Sequence, residues 1–172
     1  MSPSVRKLAL SAHVASSVGW LGAIAVFLAL AVIGLTSVDE RMVRGAYLVM
    51  ERAAWLVLLP LAVTSLVTGL VSSVVSRWGL FRHYWVVFKL CINVFATAVL
   101  LLYMDTFRLM AGMAANPSLR LAVVRNPSPV VHAVLAVALL LLATVLAVFK
   151  PPALTRYGWR RQHQAGTAHE PS

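Results

Sequence analysis

The stretch LALSAHVASSVGWLGAIAVFLALAVIGL, Leu8 to Leu35, decides the fold. It holds 28 residues and a single ionisable side chain, His13. An apolar run of about eighteen residues or more reads as a membrane-spanning helix. At about 1.5 Å per residue this one reaches roughly 42 Å, against a hydrocarbon core of about 30 Å, so it tilts or extends into the interface. An ionisable side chain inside such a helix is a site candidate, because burying it in lipid costs free energy. The run is about twice as long as the apolar part of a secretory leader, and no small-residue cleavage site with a polar continuation follows. It reads as a retained helix.

Working outward, three more apolar runs follow. The sequence predicts helices at about 8–35, 47–75, 85–110 and 130–149, an all-α, four-transmembrane-helix bundle. Residues 1–7 form a polar start and 151–172 a tail that is basic, then disordered. Composition agrees: 60% of the 172 residues are hydrophobic, only 12% are charged, and mean hydropathy is +0.85. A soluble domain carries about a quarter of its residues as charges. The net charge of +10 does not point to nucleic acid. The basic residues lie between apolar runs and in the tails, where membrane proteins keep their topology signals. Arginine outnumbers lysine 12 to 3 and Ala, Val and Leu dominate, a composition expected of a GC-rich bacterial genome. The single cysteine, Cys91, excludes an internal disulfide and a thiolate zinc site, and its apolar neighbours make it a buried small hydrophobe.

Within the first helix His13, Ser16, Ser17 and Trp20 share a stripe, and Ala12, Ala15, Gly19 and Ala23 form a small-residue ridge suited to close helix packing. In the second, Pro60 clashes with the Leu56 carbonyl and predicts a kink, while Ser65, Thr68 and Ser72 recur at helical spacing. The loop SRWGLFRHYW mixes Arg77, Arg82 and His83 with aromatics, as at a headgroup interface. Lys89, Asn93, Ala96 or Thr97, and Leu100 share a face of the third helix, and Asp105 and Arg108 stand at ion-pair spacing. Between 111 and 129, three prolines break the chain, with room for a short helix over 118–124. The tail's first half, ending near Arg161, is basic and aromatic and is placed against anionic headgroups. His163 and His169 lie beyond it.

Four crossings put both termini on one side. That side collects Arg6, Lys7, Arg77, Arg82, Lys150, Arg156, Arg160 and Arg161, the other Arg41, Arg44, Arg52, Arg108, Arg120 and Arg125. The bias predicts both termini in the cytoplasm, in the cell (inner) membrane. Alternating helix direction then sorts the polar residues into two layers. One holds His13, Ser16, Ser17, Thr68, Ser72, Lys89 and Asn93, with His83 at its edge. The opposite layer holds Glu51, Arg52, Asp105, Arg108 and His132. Glu51 and Arg52 point about 100° apart and are expected to find different partners. His13 and His132 differ in depth by about 20 Å and cannot share a metal, whose nitrogen ligands stand about 2 Å away. No Walker A loop, GxGxxG, HExxH or GxSxG is present.

The segments HVASSVGWLG and HYWVVFKL resemble small four-helix bacterial membrane proteins. They are similar to HemJ-type protoporphyrinogen oxidases, which pair a first-helix histidine and a following Trp-x-Gly-like segment with a lysine in a later helix. They are also similar to the membrane domain of CopD-type copper-resistance proteins. The ending VFKPPALTRYGWRRQ resembles a family of uncharacterised predicted integral membrane proteins of GC-rich bacteria. The resemblance implies His13 as the helix 1 histidine, Trp20 as its tryptophan and Lys89 as the lysine. It makes an intramembrane haem b or redox site the leading expectation, with His13 as metal ligand and Lys89, His83, water or no group as second ligand, or Lys89 as propionate partner or proton carrier. A small transporter or ion- or copper-handling protein is the alternative, with Glu51, Asp105 and His132 as relay. A structural or accessory subunit, binding a membrane protein partner or forming a homo-oligomer, is the third.

Overall fold

The computed structural model describes residues 3–75, 83–149, 154–155 and 159–160. The described residues are helical almost throughout. Helix α1 is Pro3–Thr36, α2 Glu40–Ala53, α3 Leu59–Val75, α4 Tyr84–Ala115, α5 Leu121–Val124 and α6 Ser128–Phe149, with a π-helical turn at Ala54–Leu58 joining α2 to α3. Four segments are long and apolar enough to cross a membrane: Ser4–Thr36, Glu40–Val74, Tyr84–Ala115 and Leu121–Phe149. They pack as a four-helix bundle in which α1 lies against α2, α3 and α6, and α4 against α2, α3 and α6.

The helices start earlier or end later than the apolar runs. The largest difference is α2, which begins at Glu40 rather than near Tyr47. Asp39 caps it, its carboxylate accepting the Arg41 N–H at 2.8 Å, as a helix start requires. Val43, Ala46, Tyr47 and Met50 are buried at helical spacing, while Glu40, Arg41 and Arg52 are exposed. A search for continuous apolar runs passes over such a two-faced segment. The kink expected at Pro60 is met by the π-helical turn, in which the Leu59 N–H reaches back five residues to the Ala54 carbonyl. Proline has no N–H to offer at i−4 and its ring crowds that carbonyl; the wider turn relieves both.

Close contacts set the register of α1 against its antiparallel neighbour. A Cβ on Gly34 would lie 3.0 Å from the Tyr47 ring, and one on Gly19 would lie 3.3 Å from Leu61. Of the expected ridge, Gly19 makes this close contact, Ala23 packs against the core, Ala12 is half-buried and Ala15 is exposed. The most buried face of α1 runs through Ser16, Trp20, Ile24, Phe27 and Ala31. Phe27 meets Phe107 of α4 edge-to-face at 5.6 Å, and Tyr103 of α4 lies on His132 of α6 at 4.3 Å.

This register gives the bundle two unlike ends. At the loop end, α4 runs twelve residues past Tyr103, whereas α6 begins only four residues before His132. The other helices therefore overhang α6 there by about 12 Å. Val43, Tyr47, Met50, Met110 and Val124 are among the most deeply buried large side chains, and they belong to the elements of the loop-end half. Two arginines lock the overhang. The Arg44 guanidinium donates to the carbonyls of Ala114 (3.1 Å), Asn116 (2.8 Å) and Leu119 (2.7 Å) and pairs with Glu40 at 2.7 Å. It thereby satisfies carbonyls that the end of α4 leaves without intrahelical donors. Arg125 donates to the Ser37 carbonyl, and the Tyr47 hydroxyl bridges the N–H and carbonyl of Asn126. At the terminal end, an antiparallel backbone bridge joins His83 to Leu154. The expected interfacial loop around Arg77 and Arg82, and Lys150, His163 and His169, lie outside the described residues.

Replacing Arg44 by methionine keeps much of the packing volume but strands buried carbonyls. It is expected to lower stability by about 2–3 kcal/mol, read as a fall in thermal unfolding midpoint in detergent. Methionine in place of exposed Arg41 is expected to leave the midpoint unchanged.

Candidate functional site

Four long helices in alternating directions bring the polar residues of the terminal half onto one seam between α1, α3 and α4. Its centre is Ser65, fully buried. The Ser65 carbonyl accepts from His13 Nδ1 at 3.1 Å. Its hydroxyl lies 2.8 Å from that of Ser17 and accepts from the Asn93 amide at 3.4 Å. Thr68 completes the seam: its hydroxyl donates to the Thr64 carbonyl at 2.6 Å and stands 3.4 Å from His13 Nδ1 and 3.5 Å from the Ser16 hydroxyl. The spacing of 13, 16 and 17 on α1 and of 65 and 68 on α3 places these groups face to face.

Two features fix the imidazole. A carbonyl oxygen can only accept, so the neutral His13 ring carries its proton on Nδ1 and presents the Nε2 lone pair. Histidine ligands of metals commonly have this arrangement, with the second nitrogen held by a backbone carbonyl. The ring also lies directly on the α3 backbone. A Cβ on Gly69 would come within 2.8 Å of His13 Cε1 and 3.1 Å of Nδ1. Gly69 is thus the site residue that sequence reasoning missed; the signal was a glycine four residues after Ser65, on the same helix face.

Lys89 is half-buried on α4, its ammonium 5.8 Å from the Trp85 ring centroid and within electrostatic reach of His13. His83 is six residues earlier, about 9 Å nearer the terminal end, at the N-cap position of α4, with its ring beside that of Trp85 at 6.2 Å. The structure groups His13 with the hydroxyls and Asn93, sets Lys89 at the rim and leaves His83 at the edge. Further into the bundle, Trp20 is buried and its indole N–H has no acceptor among the described residues; the Asn93 carbonyl oxygen likewise has no donor and the Ser72 hydroxyl no partner there.

The opposite layer is divided. Glu51 pairs with its neighbour Arg52 at 3.3 Å. This corrects the expectation of separate partners; the long arginine side chain spans the angle between adjacent positions. Asp105 pairs with Arg108 at 3.5 Å, both well exposed on the outer surface. His132 is held by its own helix, Nδ1 donating to the Ser128 carbonyl at 2.9 Å, with the Tyr103 hydroxyl 2.8 Å from that of Ser128. Among the described residues, no hydrogen bond or ion pair joins Glu51, Asp105 and His132, and no group of three His, Cys, Asp or Glu could hold a metal ion. Cys91, expected to be buried, is exposed on the apolar face of α4. No family model, curated protein or solved structure matches the chain.

Replacing Gly69 by alanine should push the His13 ring off α3 and break its bond to the Ser65 carbonyl. The expected readout is loss of the single Nδ1-protonated form in the ¹⁵N spectrum of labelled histidine, with the helical circular dichroism retained.

Proposed function

We propose that this chain is an integral membrane protein crossing the bilayer four times, with a haem- or redox-handling site at His13. The membrane reading is supported by the outward side chains. Large apolar residues such as Val18, Val26, Leu56, Leu102 and Leu142 are exposed along all four long helices, a surface suited to lipid rather than water. On this reading α6, about 33 Å long, matches the hydrocarbon thickness, and the overhang locked by Arg44 and Arg125 stands in water. Close side-chain burial in the loop-end half suits that placement, because apolar burial from water drives packing there. The basic bias of the sequence supports an orientation with both termini in the cytoplasm, and the composition a bacterial inner membrane.

The observation that carries the site is the bond from His13 Nδ1 to the Ser65 carbonyl, which leaves Nε2 as a ligand. The donor set fits a haem better than a bare ion. A macrocycle brings four nitrogens of its own and needs one axial histidine, whereas a bare ion would need several protein ligands. His13 would hold the iron and Lys89 would face a propionate. Bound there, a haem supplies one-electron chemistry. The chain's own residues orient the imidazole through Ser65, seat it on Gly69 and place a cation at the rim.

The full chain, produced with ample haem and purified in detergent, is expected to give a Soret band and a reduced-minus-oxidised difference spectrum. His13→Ala should abolish both, and Lys89→Gln should keep the band but release haem faster. A flat Soret region in correctly folded protein excludes haem binding. A spectrum untouched by His13→Ala puts the ligand elsewhere.

A further inference from the structure

Beyond the His13 site, the terminal end carries an open pocket. It has a volume of about 450 Å³ and is lined by Tyr84, Leu154, Thr155, Trp159 and Arg160. Its walls come from two parts of the chain distant in sequence. Tyr84 opens α4, and the rest follow α6. The backbone bridge between His83 and Leu154 holds the two parts together, and the Trp159 N–H donates to the Thr155 carbonyl at 2.9 Å. Together the lining residues place one cation, one hydroxyl and two amphipathic rings around a common space. Tyr84 and Trp159 are well exposed, and no described carboxylate pairs with Arg160.

Charge is also divided unequally between the two ends. Of the chain's five acidic residues, Asp39, Glu40, Glu51 and Asp105 belong to the loop end, where Glu40, Glu51 and Asp105 each pair with an arginine. Among the described residues, the terminal end carries Arg6, Lys7 and Arg160 and no acid. The pocket is therefore on the positive end, at the level where α4 begins.

We propose that this pocket is a discrete binding site for the phosphate of an anionic phospholipid headgroup. Arg160 contributes a planar fork that matches phosphate oxygens, Thr155 is a hydroxyl donor, and Tyr84 and Trp159 seat the glycerol region as interfacial aromatics do. The occupant is a lipid rather than free phosphate because two of the walls are large rings and a third is Leu154. The proposal rests on the membrane reading but not on haem.

The test uses the full chain reconstituted into phosphatidylcholine bilayers with or without phosphatidylglycerol, followed by native mass spectrometry of retained lipid. Selective retention of phosphatidylglycerol is expected, weakened about fivefold in Arg160→Gln, the effect of about 1 kcal/mol for one basic residue at a surface. Arg120→Gln, at the other end, should leave retention unchanged, and Trp159→Ala should reduce it without altering net charge. Equal loss in Arg160→Gln and Arg120→Gln would reduce the effect to diffuse charge and overturn the site. Displacement of the lipid by millimolar inorganic phosphate would assign the pocket to free phosphate instead, also overturning it. Protein that enters bilayers but shows no lipid preference removes the headgroup site alone. Protein that carbonate washing strips from bilayers removes the membrane reading, and the headgroup site with it.

Discussion

Ser65 is where three helices are tied together. Its carbonyl takes the His13 proton, and its hydroxyl meets Ser17 of α1 and Asn93 of α4. In an apolar interior each of these groups would be costly alone, since an unmet donor or acceptor costs about 1–3 kcal/mol. Satisfied by one another, they specify a single alignment of α1, α3 and α4, because sliding one helix by a residue would break all of them together. Apolar contacts could accept several alignments at similar cost. The polar seam selects among them, and the imidazole's position follows from that choice.

The loop end solves the related problem of helix termini in another way. There the chain must turn between α4 and α6 through a segment rich in proline, and its carbonyls have few backbone donors. Arg44 supplies a guanidinium to three carbonyls, those of Ala114, Asn116 and Leu119, and Arg125, from the turn itself, donates to the Ser37 carbonyl between α1 and α2. These arginines look like topology signals in the sequence, yet they serve as fasteners. The fastening is particular to these two: Arg41, Arg52 and Arg108 of the same end remain exposed.

Much of this was legible in the sequence. Long apolar runs announced four helices, and the 13–16–17–20 stripe and the 65–68 spacing placed hydroxyls opposite the histidine. Lys89 and Asn93 were assigned to the same layer from helix direction alone. What escaped were features that depend on a partner distant in sequence. The early start of α2 escaped because a helix with one polar face lacks a continuous apolar run. Gly69 escaped because only the packed histidine reveals why the position has no side chain. The Glu51–Arg52 pair escaped because helical angles describe Cβ directions, not the reach of a long side chain. Pro60 was correctly marked as a disturbance, but whether a helix bends or widens is settled by the neighbours it must still touch.

The widened turn at Ala54–Leu58 also makes the length of this helix matter as much as its composition. It accommodates one residue more than a regular α-helical turn would. Removing a single residue there would restore regular winding and swing everything downstream by about 100°. Ser65 and Gly69 would then turn away from α1, while the start of the helix stayed clamped through Arg44. Variants of this chain that keep the histidine seat should therefore tolerate changes of residue type across 54–58 far better than an insertion or a deletion.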